Sequence, residues 1–414
     1  MRILFVGINF WPEPTGIGKY SGEMAEFLQR AGHQVTVITA PPYYPHWNVQ
    51  PPYRSWKYQK EVWNGVTIIR CPLYVPRRVT GATRLIHLLS FTFLAMPVIL
   101  AEMFKRPEII FNVAPTLFSA NVASYALKKN RNRNWLHIQD FELDAALSLG
   151  LLRRLPFIEK MARFWEKSVY RRFGTVSTIS YAMLEKLKTK GVDAEKTAYF
   201  PNWIDPSRIF PLTGENPYRK SLGFSANDVV LLYSGSIGQK QGIETMIETM
   251  RLLEQEKQIH LVICGEGPGK AALVESARGL ENIHFLPVQP AEQLNELLNM
   301  ANIHVLPQKA GAADLVMPSK LLGMLASGRA VVAACPEGSE LYRIVSQTGL
   351  VVPPEDPAAF AAAISRLASG KNLRDEMGEW GRIRVESDFS ADRILNEIEQ
   401  RFQMITGSVN SKRE

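Results

Sequence analysis

The sequence predicts an α/β protein with two doubly wound domains, each built around a parallel β-sheet. Short apolar runs alternate with segments of helical periodicity along the whole chain, which is the pattern of βα units. The chain has 414 residues, more than one ordinary hydrophobic core contains. A proline-rich stretch at 201–217 interrupts the alternation. We therefore predict one domain at 1–205, a second at 206–385, and a C-terminal helix at 386–414 that packs back across the hinge.

The bulk composition is that of a globular, intracellular protein. The chain is 46% hydrophobic and 21% charged, which argues against a disordered chain. Its three cysteines lie far apart, at Cys71, Cys264 and Cys335, so we expect a reducing compartment and neither a disulfide framework nor a zinc site. The apolar run at 3–6 is too short for a signal peptide.

The charge is distributed unevenly between the two halves. Residues 1–200 contain 27 basic and 14 acidic side chains, a net charge of +13. Residues 201–414 contain 21 basic and 26 acidic side chains, a net charge of −5. The first half is therefore expected to meet an anionic partner, for which a membrane surface, a lipid phosphate and a nucleic acid are the candidates.

The chain opens with a βαβ unit. An apolar strand at 2–8 leads into a loop in which Gly16 and Gly18 allow a close approach of the backbone. A helix then extends to Ala31, and the next strand covers 35–39. The loop lacks a complete G-x-G-x-x-G motif, so it gives only slight support to a dinucleotide site.

Three segments of the first half suggest contact with sugar or lipid. The loop at 40–60 is rich in proline and aromatic residues, and it either stacks on a sugar, enters a lipid interface or forms a stiff surface loop. The apolar segment at 85–104 is long enough to cross a bilayer, but a buried or interface-dipping helix pair is favoured. The basic amphipathic segment at 153–172 suits an anionic membrane or is a solvated helix face.

The second half repeats the βα alternation. Strands are predicted at 229–234, 259–264, 283–286, 303–306 and 330–334, with helices at 242–254, 268–277, 291–299, 318–326, 339–345 and 357–368. The last 40 residues are amphipathic and helical. This order predicts a second parallel sheet with helices on both faces.

A glycine-rich turn after the strand at 229–234 predicts an anion site. Gly235, Ser236 and Gly238 lie between this strand and a helix that begins near Gly242. Free N–H groups and the helix dipole attract a phosphate there, and Lys240 adds a full charge. A tight turn with a solvated lysine is the alternative. The motif of a Walker P-loop is absent.

Three further loops follow strands and are expected at the same edge of the second sheet, where α/β proteins bind ligands. Gly265 and Gly267 either approach a base or ribose or form a turn that starts a helix. Backbone groups near Val288 could contact a base edge. A second anion site is expected at a helix start formed by Pro318, Ser319 and Lys320.

His137 is the candidate catalytic residue of the first domain. It ends a predicted strand beside Asp140, although an isolated histidine is more often structural. The acidic pair Asp140 and Glu142 has no accompanying histidine or cysteine cluster, so we expect no metal.

Over essentially its whole length the sequence resembles the GT-B glycosyltransferases of family 4, the retaining class. The segments that carry this resemblance are 7–13 with 15–18, 201–205, 235–242, and 318–322 with 326–328. Within the family it is most similar to the colanic-acid-type fucosyltransferases, on the segments 16–20, 40–45, 136–140 and 177–180. The resemblance implies two Rossmann-like domains that face a cleft and close on the substrate.

The resemblance also implies a mechanism. A sugar leaves a nucleotide diphosphate with retention and without a metal or cofactor, and preorganised charge stabilises the leaving group. The implied catalytic residues are His137 at the donor sugar, Lys240 at the diphosphate and Asp314 at the donor hydroxyls. The implied donor-binding residues are Gly16, Gly18, Asn202, Gly235, Ser236, Gly238, Gly265, Gly267, Val288, Leu315, Pro318, Ser319 and Lys320.

The implied partners are a GDP- or UDP-sugar and a polyprenyl-diphosphate-linked saccharide at the inner face of the bacterial membrane. L-fucose from GDP-fucose is the first expectation, a UDP-N-acetyl-6-deoxyhexosamine is the second, and nucleic acid is not expected. Two positions depart from the family pattern. Ser236 replaces the usual arginine of the diphosphate loop, and Gly323 replaces the second glutamate of the E-x7-E motif, which contacts the ribose.

Two other functions fit the same predicted architecture. A sugar-nucleotide epimerase shares the two-domain plan but needs no lipid-facing surface, which argues against it at 85–104 and 153–172. A non-catalytic module that binds nucleic acid through the basic half leaves the two anion loops without a purpose.

Overall fold

The computed structural model describes residues 1–126, 131–141, 143–144, 156–238, 241–309 and 318–407. Contacts between Cα atoms divide the chain into two compact units. Unit 1 comprises Met1–Pro201 together with the chain from Leu395 onward, and unit 2 comprises Asn202–Ile394. Each unit contains one sheet with helices packed on it. The predicted fold class, two Rossmann-like α/β domains with parallel sheets, is confirmed.

Unit 1 has an eight-stranded sheet in the order β3-β4-β2-β1-β5-β6-β7-β8. The strands are β1 (Arg2–Val6), β2 (Gln34–Thr39), β3 (Gln59–Trp63), β4 (Val66–Arg70), β5 (Ile109–Ala114), β6 (Asn134–Ile138), β7 (Thr175–Thr178) and β8 (Thr197–Tyr199). All pairs are parallel except β3 with β4. The edge strand β3 was not predicted, because its sequence is polar and has no buried apolar run.

The helices of unit 1 cover both faces of this sheet. They are α1 (Gly16–Arg30), α2 (Gly81–Phe104), α3 (Leu117–Ala126), α4 (Pro156–Tyr170) and α5 (Tyr181–Thr189), with short 3-10 turns at Arg131–Arg133 and Ala194–Lys196. The C-terminal helix α14 (Ala391–Thr406) belongs to this unit from Leu395 onward. Its Phe402 ring lies 5.9 Å from Phe111 and 5.6 Å from Trp135.

Helix α2 corrects one prediction. The segment at 85–104 was expected to form a helix pair, but a single helix covers Gly81–Phe104 and contains Pro97. One face is fully buried against the sheet through Phe91, Ala95 and Ile99. The helix continues through Pro97, which lies on the exposed face, because the buried side chains of the opposite face pack in the core.

Unit 2 has a six-stranded parallel sheet in the order β11-β10-β9-β12-β13-β14. The strands are β9 (Val229–Ser234), β10 (Ile259–Cys264), β11 (Ile283–Leu286), β12 (Ile303–Leu306), β13 (Ala330–Ala334) and β14 (Gly349–Val352). The first five have the bounds that their apolar runs predict. Both faces of a parallel sheet are covered, so its strands are continuously apolar and easily recognised.

The helices of unit 2 are mostly short and pack on both sheet faces. They are α6 (Pro217–Ser221), α7 (Glu244–Leu252), α8 (Lys270–Ser276), α9 (Leu294–Met300), α10 (Lys320–Ala326), α11 (Glu340–Val345), α12 (Pro357–Ser369) and α13 (Lys371–Arg384). A 3-10 turn at Ala291–Gln293 precedes α9, and a π-helical turn at Val385–Phe389 follows α13.

Candidate functional site

The sheet of unit 2 reverses its strand order beside β9. Strand β10 lies on one side of β9 and β12 on the other, so the connections after these strands leave in opposite directions. In open α/β sheets, ligands bind in the crevice beyond the carboxyl ends of the strands at such a reversal. The glycine loop that follows β9 and the residues that directly follow β12 both lie at this point. The topology therefore supports a ligand site there.

Hydrogen bonds fix the backbone of the glycine loop after β9. The Gly235 amide donates a hydrogen bond to the Cys264 carbonyl at 3.0 Å, and the Ile237 amide donates to the Glu266 carbonyl at 2.9 Å. The Tyr233 hydroxyl donates to the Ser236 carbonyl at 2.6 Å. Gly235 has a φ of 147°, which favours glycine, and the Ser236 side chain is exposed. The predicted loop thus has a fixed shape, with Ser236 open to solvent.

The second glycine loop, after β10, supports the first by direct backbone contact. A Cβ atom on Gly265 would lie 1.9 Å from the Gly235 carbonyl oxygen, and one on Gly267 would lie 2.1 Å from that of Ile237. No side chain fits either gap. For Gly265 and Gly267 the sequence left open an approach to a base or ribose and a turn that starts a helix; the structure shows that both glycines pack against the first loop.

Lys320 extends from the start of α10 to the same loop. Its ammonium donates to the Tyr233 hydroxyl at 3.0 Å and lies 4.1 Å from the centre of the Tyr233 ring. A Cβ atom on Gly235 would lie only 3.2 Å from this ammonium. The two predicted anion-binding elements, the loop at Gly235 and the helix start at Lys320, therefore lie side by side. The lysine occupies the space that a side chain at 235 would take.

The electrostatics of Lys320 are unusual. Burial lowers the pKa of Lys320 from 10.5 to about 7, because the enclosed ammonium loses hydration. Among the described residues no carboxylate forms an ion pair with it. An enclosed cation without an acidic partner is strongly stabilised by an incoming anion. Lys320 supplies the kind of charge that the usual arginine, replaced here by Ser236, would give.

Some predicted site residues lie outside the part of the chain that the structure describes. Others are described and are at least partly exposed. Lys240, Asp314 and Leu315 fall in the segments 239–240 and 310–317, which the structure does not describe. Gly238 and Pro318 are partly exposed, and Val288 and Ser319 are exposed. Ser319 caps α10 without a side-chain hydrogen bond to the helix.

Asn202 was also predicted on the donor side. Its side chain is buried, and within the described residues its Oδ1 atom accepts no hydrogen bond. A buried carbonyl oxygen without a partner is costly, so this atom can accept a hydrogen bond from a group that the structure does not contain.

His137 lies in the core of unit 1 rather than on an open surface. Its Nδ1 atom is 2.9 Å from the Ser177 hydroxyl, and its ring packs on Phe111 and Phe200 at 5.8 and 4.9 Å. Burial lowers the pKa of His137 to about 3, so the ring is neutral at pH 7. The contact of His137 with the donor sugar stays a prediction. Only its Nε2 atom is left for a substrate contact.

The loop after β1 contains a functional candidate that the sequence did not reveal. The buried Glu13 carboxylate accepts hydrogen bonds from the Asn9 side chain at 2.9 Å and from the Tyr43 and Tyr44 amides at 3.1 and 3.0 Å. Burial raises the pKa of Glu13, although these hydrogen bonds oppose the shift. Glycine is required at 18, because a Cβ atom there would lie 2.6 Å from the Glu13 Cβ atom.

Gly16 begins α1 with a φ of 61°, and its own Cβ position is open. The loop of Gly16 and Gly18 is thus shaped by backbone conformation and by Glu13. The described residues contain no group of three or more His, Cys, Asp or Glu side chains that could hold a metal ion. Metal-independent activity stays a prediction.

Comparisons with known proteins agree with the architecture of both units. Residues 15–203 match the family described as glycosyl transferase 4-like domain, and residues 215–384 match glycosyl transferases group 1. The chain is 42% identical over 373 residues to the putative colanic acid biosynthesis glycosyl transferase WcaI of Escherichia coli. That alignment covers 88% of this chain and 91% of WcaI.

Solved structures share the fold over almost the whole chain. Sucrose-phosphate synthase from Thermosynechococcus elongatus superposes with a TM-score of 0.74 at 20% identity, covering 98% of this chain and 99% of that one. HepE from Anabaena in complex with UDP and glucose gives a TM-score of 0.65 at 16% identity, covering 97% and 98%.

The two Rossmann-like units and the matches to both glycosyltransferase domains define a GT-B glycosyltransferase. The chain belongs to family 4 of these enzymes and is a glycosyltransferase of polysaccharide biosynthesis. The epimerase and the non-catalytic nucleic-acid module are therefore set aside.

Gly265→Ala is expected to weaken the binding of UDP or GDP by about ten-fold or more, equivalent to about 1.4 kcal/mol. The added methyl group would overlap the Gly235 carbonyl and displace the loop above it. Isothermal titration calorimetry measures the affinity. The control is Gly269→Ala, whose Cβ atom would lie an acceptable 3.4 Å from the Ile237 carbonyl. Equal losses in the two variants would contradict the interlocked-loop account.

Binding of UDP or GDP at pH 8 is expected to take up close to one proton. Lys320, with a pKa of about 7, is mostly neutral at pH 8, and a bound diphosphate restores its ammonium form. The affinity should accordingly fall as the pH rises from 7 to 9. Calorimetry in two buffers of different ionisation enthalpy gives the proton count. Lys320→Arg, which stays protonated, should show no uptake; the same uptake in both proteins would refute this role.

Proposed function

We propose that the enzyme is a retaining glycosyltransferase that moves a sugar from a nucleotide sugar to a polyprenyl-diphosphate-linked saccharide. The observation that carries the donor side is the ammonium of Lys320 beside the Gly235 loop, which forms no ion pair with any carboxylate of the described residues. It supports an anionic leaving group such as a diphosphate. UDP bound to HepE, a protein of the same fold, is consistent with this assignment.

The chemistry at this site is the stabilisation of a leaving nucleoside diphosphate. As the bond between the sugar and the phosphate breaks, negative charge grows on the diphosphate oxygens, and preorganised cations and amides lower the barrier. Lys320 takes that role together with Lys240, with the amides of Gly238 and Ser319 as further donors. The departing diphosphate helps to remove the proton of the acceptor hydroxyl, so the mechanism needs no carboxylate pair.

For the donor we favour L-fucose from GDP-fucose, with a UDP-N-acetyl-6-deoxyhexosamine as the alternative. The support is the similarity to WcaI, a putative glycosyl transferase of colanic acid biosynthesis, and the sequence resemblance to colanic-acid-type fucosyltransferases. The product would be a lipid-linked precursor of an exopolysaccharide or O-antigen.

For the location we propose the inner face of the bacterial cell membrane. Helix α2 is long and apolar enough to cross a bilayer, and only a third of its most apolar stretch is buried inside the protein. Its buried face packs in the core of unit 1, which favours contact along the surface over spanning. The opposite face exposes a stripe of apolar residues: Leu85, Ile86, Phe93, Met96, Leu100 and Phe104, the last with 87% of its surface exposed.

Helix α4 adds charge and a second apolar face. Phe157, Met161 and Phe164 recur at helical spacing and are exposed, Phe164 by 76%. Lys160 and Arg163 are exposed on the same helix. Exposed aromatic residues beside basic side chains favour an anionic lipid surface, where apolar burial and charge attraction add together.

Incubation with a panel of UDP- and GDP-sugars and a polyprenyl-diphosphate-linked saccharide tests the reaction. Transfer is expected from one donor, with the anomeric configuration retained and with equal rates in the presence of a chelator. Lys240→Ala should lower the rate by about 100-fold or more, as the loss of one charge-stabilising group does elsewhere. The exposed Lys257→Ala is the matched control. The proposal would be wrong if the enzyme transferred sugar from none of the donors and bound no nucleotide.

Co-sedimentation with vesicles tests the location. The protein should pellet with phosphatidylglycerol-containing vesicles and much less with phosphatidylcholine alone, and salt should weaken this binding. Replacing Phe93 and Phe104 together by serine is expected to reduce binding several-fold. Met404→Ser, on an exposed apolar residue away from α2, should leave it unchanged. Equal binding of the two variants would argue against the α2 stripe.

A further inference from the structure

Unit 1 contains a pocket that none of the known features explains. The loops that follow β2 and β4 enclose a concavity of about 680 Å³. These strands are neighbours in the sheet and run parallel, so the pocket lies beyond their carboxyl ends, where α/β sheets bind ligands. Aromatic and basic side chains line it: Trp47, Tyr53, Arg54, Trp56, Tyr74 and Arg77.

Buried polar contacts hold the walls of this pocket. Arg70, which is fully buried, donates to the Ala40 carbonyl at 3.1 Å and to the Trp11 carbonyl at 2.8 Å. Its guanidinium also lies 4.6 Å from the centre of the Tyr53 ring. Glu13 fixes the backbone at 43–44 from the other side. The loops are thus preorganised, which reduces the entropy cost of binding a ligand.

The exposed side chains of the pocket suit a phosphorylated sugar. Trp56 is 68% exposed, Tyr74 is also exposed, and both side chains line the concavity. Exposed aromatic rings pack against the apolar faces of sugar rings. The Arg54 guanidinium lies 5.5 Å from the Trp56 ring, and Arg77 lines the same pocket. Arginine binds phosphate through paired, charge-assisted hydrogen bonds.

The pocket adjoins helix α2. The Tyr58 hydroxyl donates to the Leu94 carbonyl at 2.8 Å, and the Tyr74 amide donates to the Ser90 hydroxyl at 2.9 Å. A molecule with a lipid chain along α2 therefore has its head group within reach of the pocket. We propose that this pocket binds the sugar phosphate head of the acceptor, with the sugar on Trp56 and Tyr74 and the phosphate on Arg54 and Arg77.

This inference rests on the proposed function, since it assigns a place to the acceptor. The probes are the 1-phosphates of glucose, galactose, fucose and N-acetylglucosamine, with binding followed by saturation-transfer NMR and by titration. The wild-type protein should bind at least one of them. Trp56→Ala should weaken that binding by about five-fold or more, within the range for aromatic packing. Arg54→Gln should weaken binding of the sugar phosphate but not of the matching methyl glycoside.

Trp380→Ala, on an exposed tryptophan of unit 2, is the matched control and should change nothing. Binding of UDP and GDP is measured on the same samples. If nucleotide binds and Trp56→Ala leaves the sugar phosphate affinity unchanged, the pocket assignment is wrong while the proposed function stands. The assignment is also overturned if no sugar phosphate binds the wild type, or if Trp56→Ala reduces only vesicle binding. Loss of nucleotide binding in the wild type would instead count against the proposed function.

Discussion

The close backbone approach of two glycine loops is the constraint on which the candidate donor site depends. The loop after β10 reaches the loop after β9 so closely that neither Gly265 nor Gly267 can have a side chain. Three backbone hydrogen bonds, at 3.0, 2.9 and 3.1 Å, join the loop after β9 to the end of β10 and the loop that follows it. The close fit between these main-chain segments therefore fixes the shape of the loop at 235–237.

Lys320 places its ammonium beside this loop. Ser236 leaves the loop without the arginine that family members have, and Lys320 reaches the same place from a helix start. Burial lowers the pKa of this ammonium, and a bound anion would raise it again. Ligand affinity and protonation are thus linked at one atom.

The sequence allowed the fold and part of the site to be predicted. Continuous apolar runs defined the buried parallel strands, and glycine spacing located the loop at Gly235. Sequence spacing alone could not tell that Gly265 serves packing, because its neighbour is a carbonyl thirty residues away in the chain. Histidine is a common catalytic residue type, but His137 is surrounded by core residues. The Glu13 carboxylate is hydrogen-bonded by backbone amides of another loop. Such properties arise only from tertiary contacts.

We infer that Lys320 and the Gly235 loop hold the leaving diphosphate. A crystal structure of the enzyme with a bound nucleoside diphosphate would test this inference. A diphosphate oxygen is expected within about 3.2 Å of the Lys320 Nζ atom, beside the Gly235 loop. A diphosphate bound elsewhere, with the Lys320 ammonium still donating only to the Tyr233 hydroxyl, would contradict it.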